Sequence, residues 1–377
     1  MKNRWNGIYG QQSIIEILEK LISSSNIPHA FLFTGIEGIG KDLTAIRFTE
    51  AVNDINDFDI DRVKKIISSF SEPYVKYIYP LPRGKNETDD SGPFEKLSQD
   101  DLENIKEEIQ KKTQNPYYRL NITKANIIKK SSIKDIKKFL SLSFSDIRFR
   151  TVLISDAHLM NDEAQNALLK NLEEPPEGVI FILVTPYPGL LRETIRSRCW
   201  ALNFKPLNNY EIKEILTNYF MTDESLAESV APFSNGSVTN ALDLIENDFY
   251  VLLDRTISIL RYSFGRKYHS AMEEMSYFLK EDSAELLRIL IQMIIIWLND
   301  IQKHRIGKEN LYFNKYSETL DKFNSKFPGL EINETVVKLD QLASVIKNNV
   351  NLNLIASNII FELSALTDKK IKSNKLL

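Results

Sequence analysis

Residues suited to handling phosphate recur along this 377-residue chain. Gly35, Gly38, Gly40 and Lys41 stand in GIEGIGKD and match G-x-x-x-x-G-K. Glycines there let backbone N–H groups wrap phosphates, the helix N-terminus that follows attracts negative charge, and the lysine reaches the outer phosphates. Asp156 ends the apolar run TVLIS, where a metal-holding acid belongs. Thr185 ends the next apolar run, where a hydroxyl can sense a γ-phosphate. Arg198, in Ser197-Arg198-Cys199, follows Arg192 and Arg196. An arginine at a domain edge can enter a neighbour's nucleotide site and stabilise phosphoryl transfer, an effect worth ~10³–10⁵ in rate. Each residue also has a plain reading. These are a glycine turn that binds nothing, a helix-capping acid, a strand-end threonine and a surface salt bridge, the last being the default for Arg198 on spacing alone.

The same pattern carries two lesions for hydrolysis. Asp42 stands where a Ser or Thr hydroxyl normally holds Mg²⁺. Its carboxylate would face a triphosphate, and two unit charges at about 4 Å repel by roughly 4 kcal/mol at an effective dielectric near 20. Ala157, after Asp156, can neither accept a proton nor position water. ATP or ADP at this site is therefore expected to bind weakly or not at all, and Mg²⁺ only with nucleotide.

The elements needed to position these residues are legible. Ala30–Phe33, Tyr74–Tyr79, Thr151–Ser155, Val179–Thr185 and Ala201–Phe204 predict strands; Ile14–Ile22, Asp42–Val52, Leu97–Lys112 and Ile133–Leu142 predict helices. Asn161 can cap a further helix, with Asp162 and Glu163 in its first turn, and Pro175-Pro176 stop it. Strands buried on both faces between helices imply a mostly parallel sheet. Arg83–Pro93 reads as an exposed loop and Lys205–Asn209 as a linker. Three short helices follow to Glu246, with breaks near Thr222 and Asn235-Gly236; beyond Asp248 the pattern is helical almost throughout, and the lysine-rich tail from Asp368 is expected to fray.

Composition narrows the classes. A net charge of −3 gives no sign of a large phosphate-neutralising surface, and the Lys pairs, Lys111-Lys112 among them, read as solvated helix faces. One cysteine, Cys199, excludes an internal disulfide and a cysteine zinc site, and suits a reducing compartment. Ile289–Leu298 is too short to span a bilayer, which needs about 20 residues, and the N-terminus lacks an apolar signal core. A cytoplasmic protein without membrane association is expected.

These residues together resemble a family. LLK-LEEPP (Leu168–Pro176), Ser197-Arg198-Cys199 and PHAFLFTG (Pro28–Gly35) are similar to the AAA+ module of bacterial DNA polymerase III clamp-loader subunits. The likeness is strong over about residues 7–52 and 115–206 and only architectural beyond 210. Asp42, Ala157 and Thr239, where an ATPase relative carries a nucleotide-sensing arginine, resemble the delta-prime branch rather than the gamma and tau motors. The resemblance implies an α/β AAA+ P-loop domain over 1–206, a small helical lid over 207–247 and an all-α collar over 248–377. It also implies gamma or tau and delta subunits as partners, with a sliding clamp and primed DNA reached through the complex. Arg198 would then act in trans. Many relatives carry a four-cysteine zinc module after the phosphate-loop helix; residues 53–115 contain no cysteine, so no zinc is expected. Two other readings stay open: an active clamp-loader ATPase, for which Lys41 and Asp156 speak, and an adaptor that keeps the fold only as structure.

Overall fold

Five short runs dominated by β-branched, aromatic and leucine residues form the strands β1 (Ala30–Thr34), β2 (Val75–Ile78), β3 (Arg150–Ile154), β4 (Val179–Thr185) and β5 (Trp200–Asn203). The structure is a computed structural model and describes residues 4–54, 60–88, 91–142, 147–282, 284–308, 311–346 and 350–373. All strand pairs are parallel, in the order β2-β3-β4-β1-β5, with Ile154 opposite Leu183 and Thr34 opposite Thr185. Such a sheet has its loops after β1, β3 and β4 at one edge, the edge where open parallel sheets bind ligands. β3 and β4 are buried throughout, whereas the edge strand β5 buries only Leu202.

The helices, in chain order, are α1 (Gln12–Ser24), α2 (Lys41–Val52), α3 (Ile60–Ser68), α4 (Gln99–Gln114), α5 (Lys130–Lys134), α6 (Ile136–Ser141), α7 (Asp162–Glu173), α8 (Glu193–Arg196) and α9 (Asn209–Phe220). They continue with α10 (Glu224–Val230), α11 (Val238–Glu246), α12 (Phe249–Phe264), α13 (Tyr268–Met275), α14 (Ala284–Arg305), α15 (Ser317–Lys326), α16 (Asn333–Val345) and α17 (Leu352–Ser373). The backbone divides into two compact units: residues 1–228 with 235–240, and 229–234 with 241–377.

In the first unit α2 is fastened to the sheet by polar pairs. Thr49 and Thr151 share a hydroxyl hydrogen bond of 2.8 Å, and Asn53 donates to Phe149 O at 2.8 Å while accepting from the Arg148 and Phe149 amides. The Asn161 side chain caps α7 by accepting from Ala164 N, and the helix ends before Pro175. The helix expected over Ile133–Leu142 is present as α5 and α6, which meet at Asp135, itself at helical angles of φ −67° and ψ −16°. Its carboxylate takes the Lys76 ammonium at 2.5 Å, and the buried Arg150 guanidinium donates to the carbonyls of Phe139, Leu140 and Leu142 that end α6. Helix α3 adds to the helices that the sequence pattern predicts.

The segment between β2 and β3 docks on the sheet through α4. A Ser98–Asp101 capping box starts this helix, and Ile105 and Ile109 pack with Leu120 and Ile122 against Tyr77 and Tyr79. The loop expected over Arg83–Pro93 contains no helix or longer strand among its described residues.

In the second unit α14 is buried along its apolar length, with Trp297 at 1% exposure packed against Phe264 and Phe323. Asp300, fully buried, accepts from the Tyr312 and Phe313 amides and pairs with Lys303. Among the described residues no helix is long and apolar enough to cross a membrane. The tail expected to fray from Asp368 is helical to Ser373, and residues 374–377 lie outside the described residues.

Candidate functional site at the phosphate loop

The loop from Gly35 to Gly40 turns the chain from β1 into α2, and its glycines are demanded by packing. Gly35, at φ +133°, lies where a Cβ would come within 2.6 Å of Phe204 O; at Gly38, φ +69°, a Cβ would come within 2.5 Å of Thr239 N. The Val238 amide donates to Gly38 O, so the Ser237–Thr239 turn sits directly on the loop. At Gly40, φ +83°, a Cβ would meet the Tyr117 ring at 3.2 Å.

Lys41 turns back into this loop. Its Nζ donates to Gly35 O at 2.8 Å and to Ile36 O, and the side chain is buried. Burial lowers its pKa to about 8, against the opposing pull of Asp42, Glu37 and Asp156.

Asp42 holds a second cation. Lys112 Nζ, at the end of α4, lies 2.9 Å from its Oδ2 and donates also to Pro116 O and Tyr118 O, each at 2.9 Å. Three protons thus have three acceptors. Ser155 Oγ donates to both Asp42 oxygens, at 3.1 and 3.2 Å. The carboxylate at the position of the metal-holding hydroxyl is therefore engaged at both oxygens by groups of the chain itself, with an ammonium already on Oδ2. Among the described residues no cluster of three or more His, Cys, Asp or Glu is arranged to hold a metal.

Asp156 follows β3 in the left-handed region, φ 50° and ψ 42°. Burial, and then the charges of Asp42 and Glu37, raise its pKa to about 6, with Arg119 and Lys41 opposing. Arg119 pairs with Glu37 at 3.2 Å across the mouth. Tyr117 lies over Gly40, donates to Gly7 O at 3.1 Å and packs on Tyr219 at a ring separation of 5.4 Å.

Gly38, Gly40, Lys41, Asp42 and Asp156 line one cavity, and Lys112, Tyr117, Arg119 and Ser155 share its wall. Its volume is about 80 Å³. Sites for drug-sized ligands run from roughly 300 to 1,000 Å³, so this cavity is small beside them. Gly35 reaches the cavity only through its carbonyl on Lys41. Thr185, fully buried, lies between the lining residues Val184 and Pro186, and its Oγ1 accepts from the Tyr187 amide.

Arg198 does not line this cavity. It follows α8, beside the edge strand β5, with its guanidinium 2.8 Å from Glu173 Oε1 and donating to Thr194 O at 2.8 Å. Arg192 is tied to Asp162 and Asn166 on α7. Burial pushes the Cys199 thiol up to about 12, away from the thiolate form.

Sequence reading missed Lys112, Tyr117 and Ser155. Lys112 had a signal: it stands three residues after Ile109 and seven after Ile105, on the apolar face of α4. Tyr117 and Ser155 had none, since only the fold brings them to Gly40 and Asp42.

Residues 10–208 match the family model described as DNA polymerase III, delta subunit. DNA polymerase III subunit tau of Bacillus subtilis is 25% identical over 248 residues, 64% of this chain and 37% of that protein. Subunit gamma of Buchnera aphidicola is 26% identical over 64% of this chain and 57% of its own length. Subunit delta′ of Bacillus subtilis is 23% identical over 63% of this chain and 72% of its own. The chain thus spans about two fifths to three fifths of the first two relatives. A solved gamma-subunit-related protein of Thermotoga maritima covers 93% of this chain and 99% of its own at 17% identity, with a TM-score of 0.42.

Proposed function

The chain belongs to the DNA polymerase III, delta subunit family, and we propose that within it the chain is a non-hydrolysing clamp-loader subunit of the delta-prime kind. Identity does not separate the branches, since tau, gamma and delta′ match at 25%, 26% and 23%. The site supports the choice. The observation that carries it is the phosphate-loop cavity of about 80 Å³, walled by Lys112 on Asp42 and Tyr117 over Gly40, with Ala157 following Asp156. A motor subunit needs a metal hydroxyl and a water-positioning acid at these places; this chain has a carboxylate paired with Lys112 and a methyl group.

The chain's contribution is then made outside its own site. Arg198 stands clear of the cavity, held by a hydrogen bond to Thr194 O and a partly exposed ion pair to Glu173, and such pairs contribute only about 0–1 kcal/mol. It can leave Glu173 at little cost and meet the γ-phosphate of ATP bound by a neighbouring gamma or tau subunit. The guanidinium would stabilise charge on the transferring phosphoryl group. In this reading the sheet domain (1–206) and lid (207–247) present the arginine. The helical collar (248–377) joins the ring with the motor and delta subunits, and the cytoplasmic complex opens the sliding clamp and places it on primed DNA.

The test is DNA-stimulated ATPase of the reconstituted loader with wild-type or Arg198→Ala chain. Turnover at the neighbouring site is expected to fall on the order of 10³-fold or more, with assembly intact. Unchanged turnover would make Arg198 a structural residue and leave the chain an adaptor. ATP hydrolysis by the purified chain alone would favour a motor subunit.

A further inference from the structure

The phosphate-loop fold implies a divalent metal beside the residue after Lys41, yet the side chains of this protein already balance the charge there. We propose that Lys112 is a built-in cation that stands where the metal would be held, and that the segment from Lys112 to Arg119 is an internal strap fastening helix α4 across the phosphate loop. The inference rests on the reading of this site as one that does not take metal–nucleotide, and extends it to what occupies the site instead.

Several independent contacts carry it. The Lys112 side chain is 6% exposed, and its ammonium has one carboxylate and two carbonyl acceptors, all at 2.9 Å. Carboxylate and carbonyl oxygens are the ligand types a hard cation takes. Asp42 receives Lys112 and, at both oxygens, Ser155, so its charge is met from two sides. The strap is held at both ends. Glu108 of α4 accepts from the Tyr118 hydroxyl and the Asn121 amide, Tyr117 lies against Gly40, and Arg119 pairs with Glu37. The acid at the hydroxyl position and the buried lysine then form one device: each loses its opposite charge without the other, and keeps only neutral partners at hydrogen-bond distance. An ammonium tethered to the chain is not lost to solution as a free ion is, so it holds the loop in this arrangement without a bound metal.

The full-length chain is tested by thermal unfolding with Mn²⁺ as the probe, in wild type, Lys112→Met and Asp42→Ser/Lys112→Met. Removing one partner of a buried pair is expected to lower the Tm of Lys112→Met by on the order of 10 °C. The double variant, which removes both charges, recovers most of that loss. Millimolar Mn²⁺ restores Lys112→Met, by occupying the vacated place at Asp42, and leaves the wild type and the double variant unmoved. Lys112→Met as stable as wild type, or insensitive to Mn²⁺, overturns the proposal; so does equal Mn²⁺ stabilisation of wild type and variant. If Lys112→Met does not fold, the double variant decides: near-wild-type stability supports the pairing and failure to fold refutes it. Because these readouts are stability and metal response of the isolated chain, they fail or succeed apart from the loader ATPase that tests Arg198.

Discussion

Asp156 gives the sharpest prediction. Its carboxyl is held at about 6 against an ordinary value of 3.8, first by burial and then by the like charges of Asp42 and Glu37. Between roughly pH 4 and 6 the folded chain therefore binds more protons than the unfolded chain, and stability falls as pH rises through that window. At 1.36 kcal/mol per pH unit the penalty at neutral pH is at most about 3 kcal/mol, and about 2 kcal/mol once solvent access to this half-buried group is allowed for. Asp156→Asn removes the charge, and asparagine tolerates the φ of 50° that the position demands. At about pH 8 the variant should be more stable than wild type, by roughly 4–8 °C in Tm for a unit of this size. The difference should vanish below about pH 4. The assay is thermal unfolding of both proteins across this range, with and without Mg²⁺. A Tm difference that does not change with pH, or an asparagine variant less stable at high pH, would refute the electrostatic account. A wild type stabilised by Mg²⁺ at high pH would refute the claim that no metal is held there.

Further expectations follow from the same geometry. Gly38→Ala should cost roughly 2–4 kcal/mol in urea unfolding, because its Cβ would meet Thr239 N at 2.5 Å on a backbone at φ +69°, and the loss should be the same with and without nucleotide. Lys41→Met should leave ATPase and clamp loading of the reconstituted complex unchanged. Its stability should also lack a gain that the wild type shows as pH rises from about 8 toward 10.5, where the buried ammonium loses its proton in the folded chain first. A large loss of loading by a folded Lys41→Met chain would show that nucleotide at this site matters.

The sheet is legible in the sequence because a strand buried on both faces must be apolar along its whole length. Val179–Thr185 and Thr151–Ser155 carry that pattern, and no helix of five to seven residues would bury such runs. Chemistry also declares itself where it is local: Asn161 caps its own helix and Pro175 ends it. Ile133–Leu142 reads as helical and is so, with Asp135 helical between α5 and α6, but what fixes it in place comes from a distance. Lys76 on β2 takes the Asp135 carboxylate, and Arg150 on β3 collects the carbonyls that end α6. Neither arginine nor lysine announces in sequence which carbonyl or carboxylate it will find.

The site shows the same division more sharply. Lys41, Asp42 and Asp156 are identified by the motif, and the fold brings them to one cavity because parallel strands put their C-terminal loops on one edge. What fills that cavity is Lys112, hidden in a pair of lysines that composition assigns to solvent. The two neighbours differ because successive residues on a helix point about a quarter-turn apart. Lys111 is 54% exposed and pairs with Glu108 at the surface of α4, while Lys112 is 6% exposed, on the stripe of Ile105 and Ile109. A charge on an apolar stripe must find an opposite charge when it is buried. The chain offers one in Asp42, an acid in a position where a phosphate loop normally has a metal-holding hydroxyl. Each residue breaks the rule of its own element, and the pair removes both violations. One exception is an excess acid at a phosphate loop, and the other is a lysine on a buried helix face. Far apart in the chain, they carry a signal only when taken together, because each supplies the charge that the other lacks.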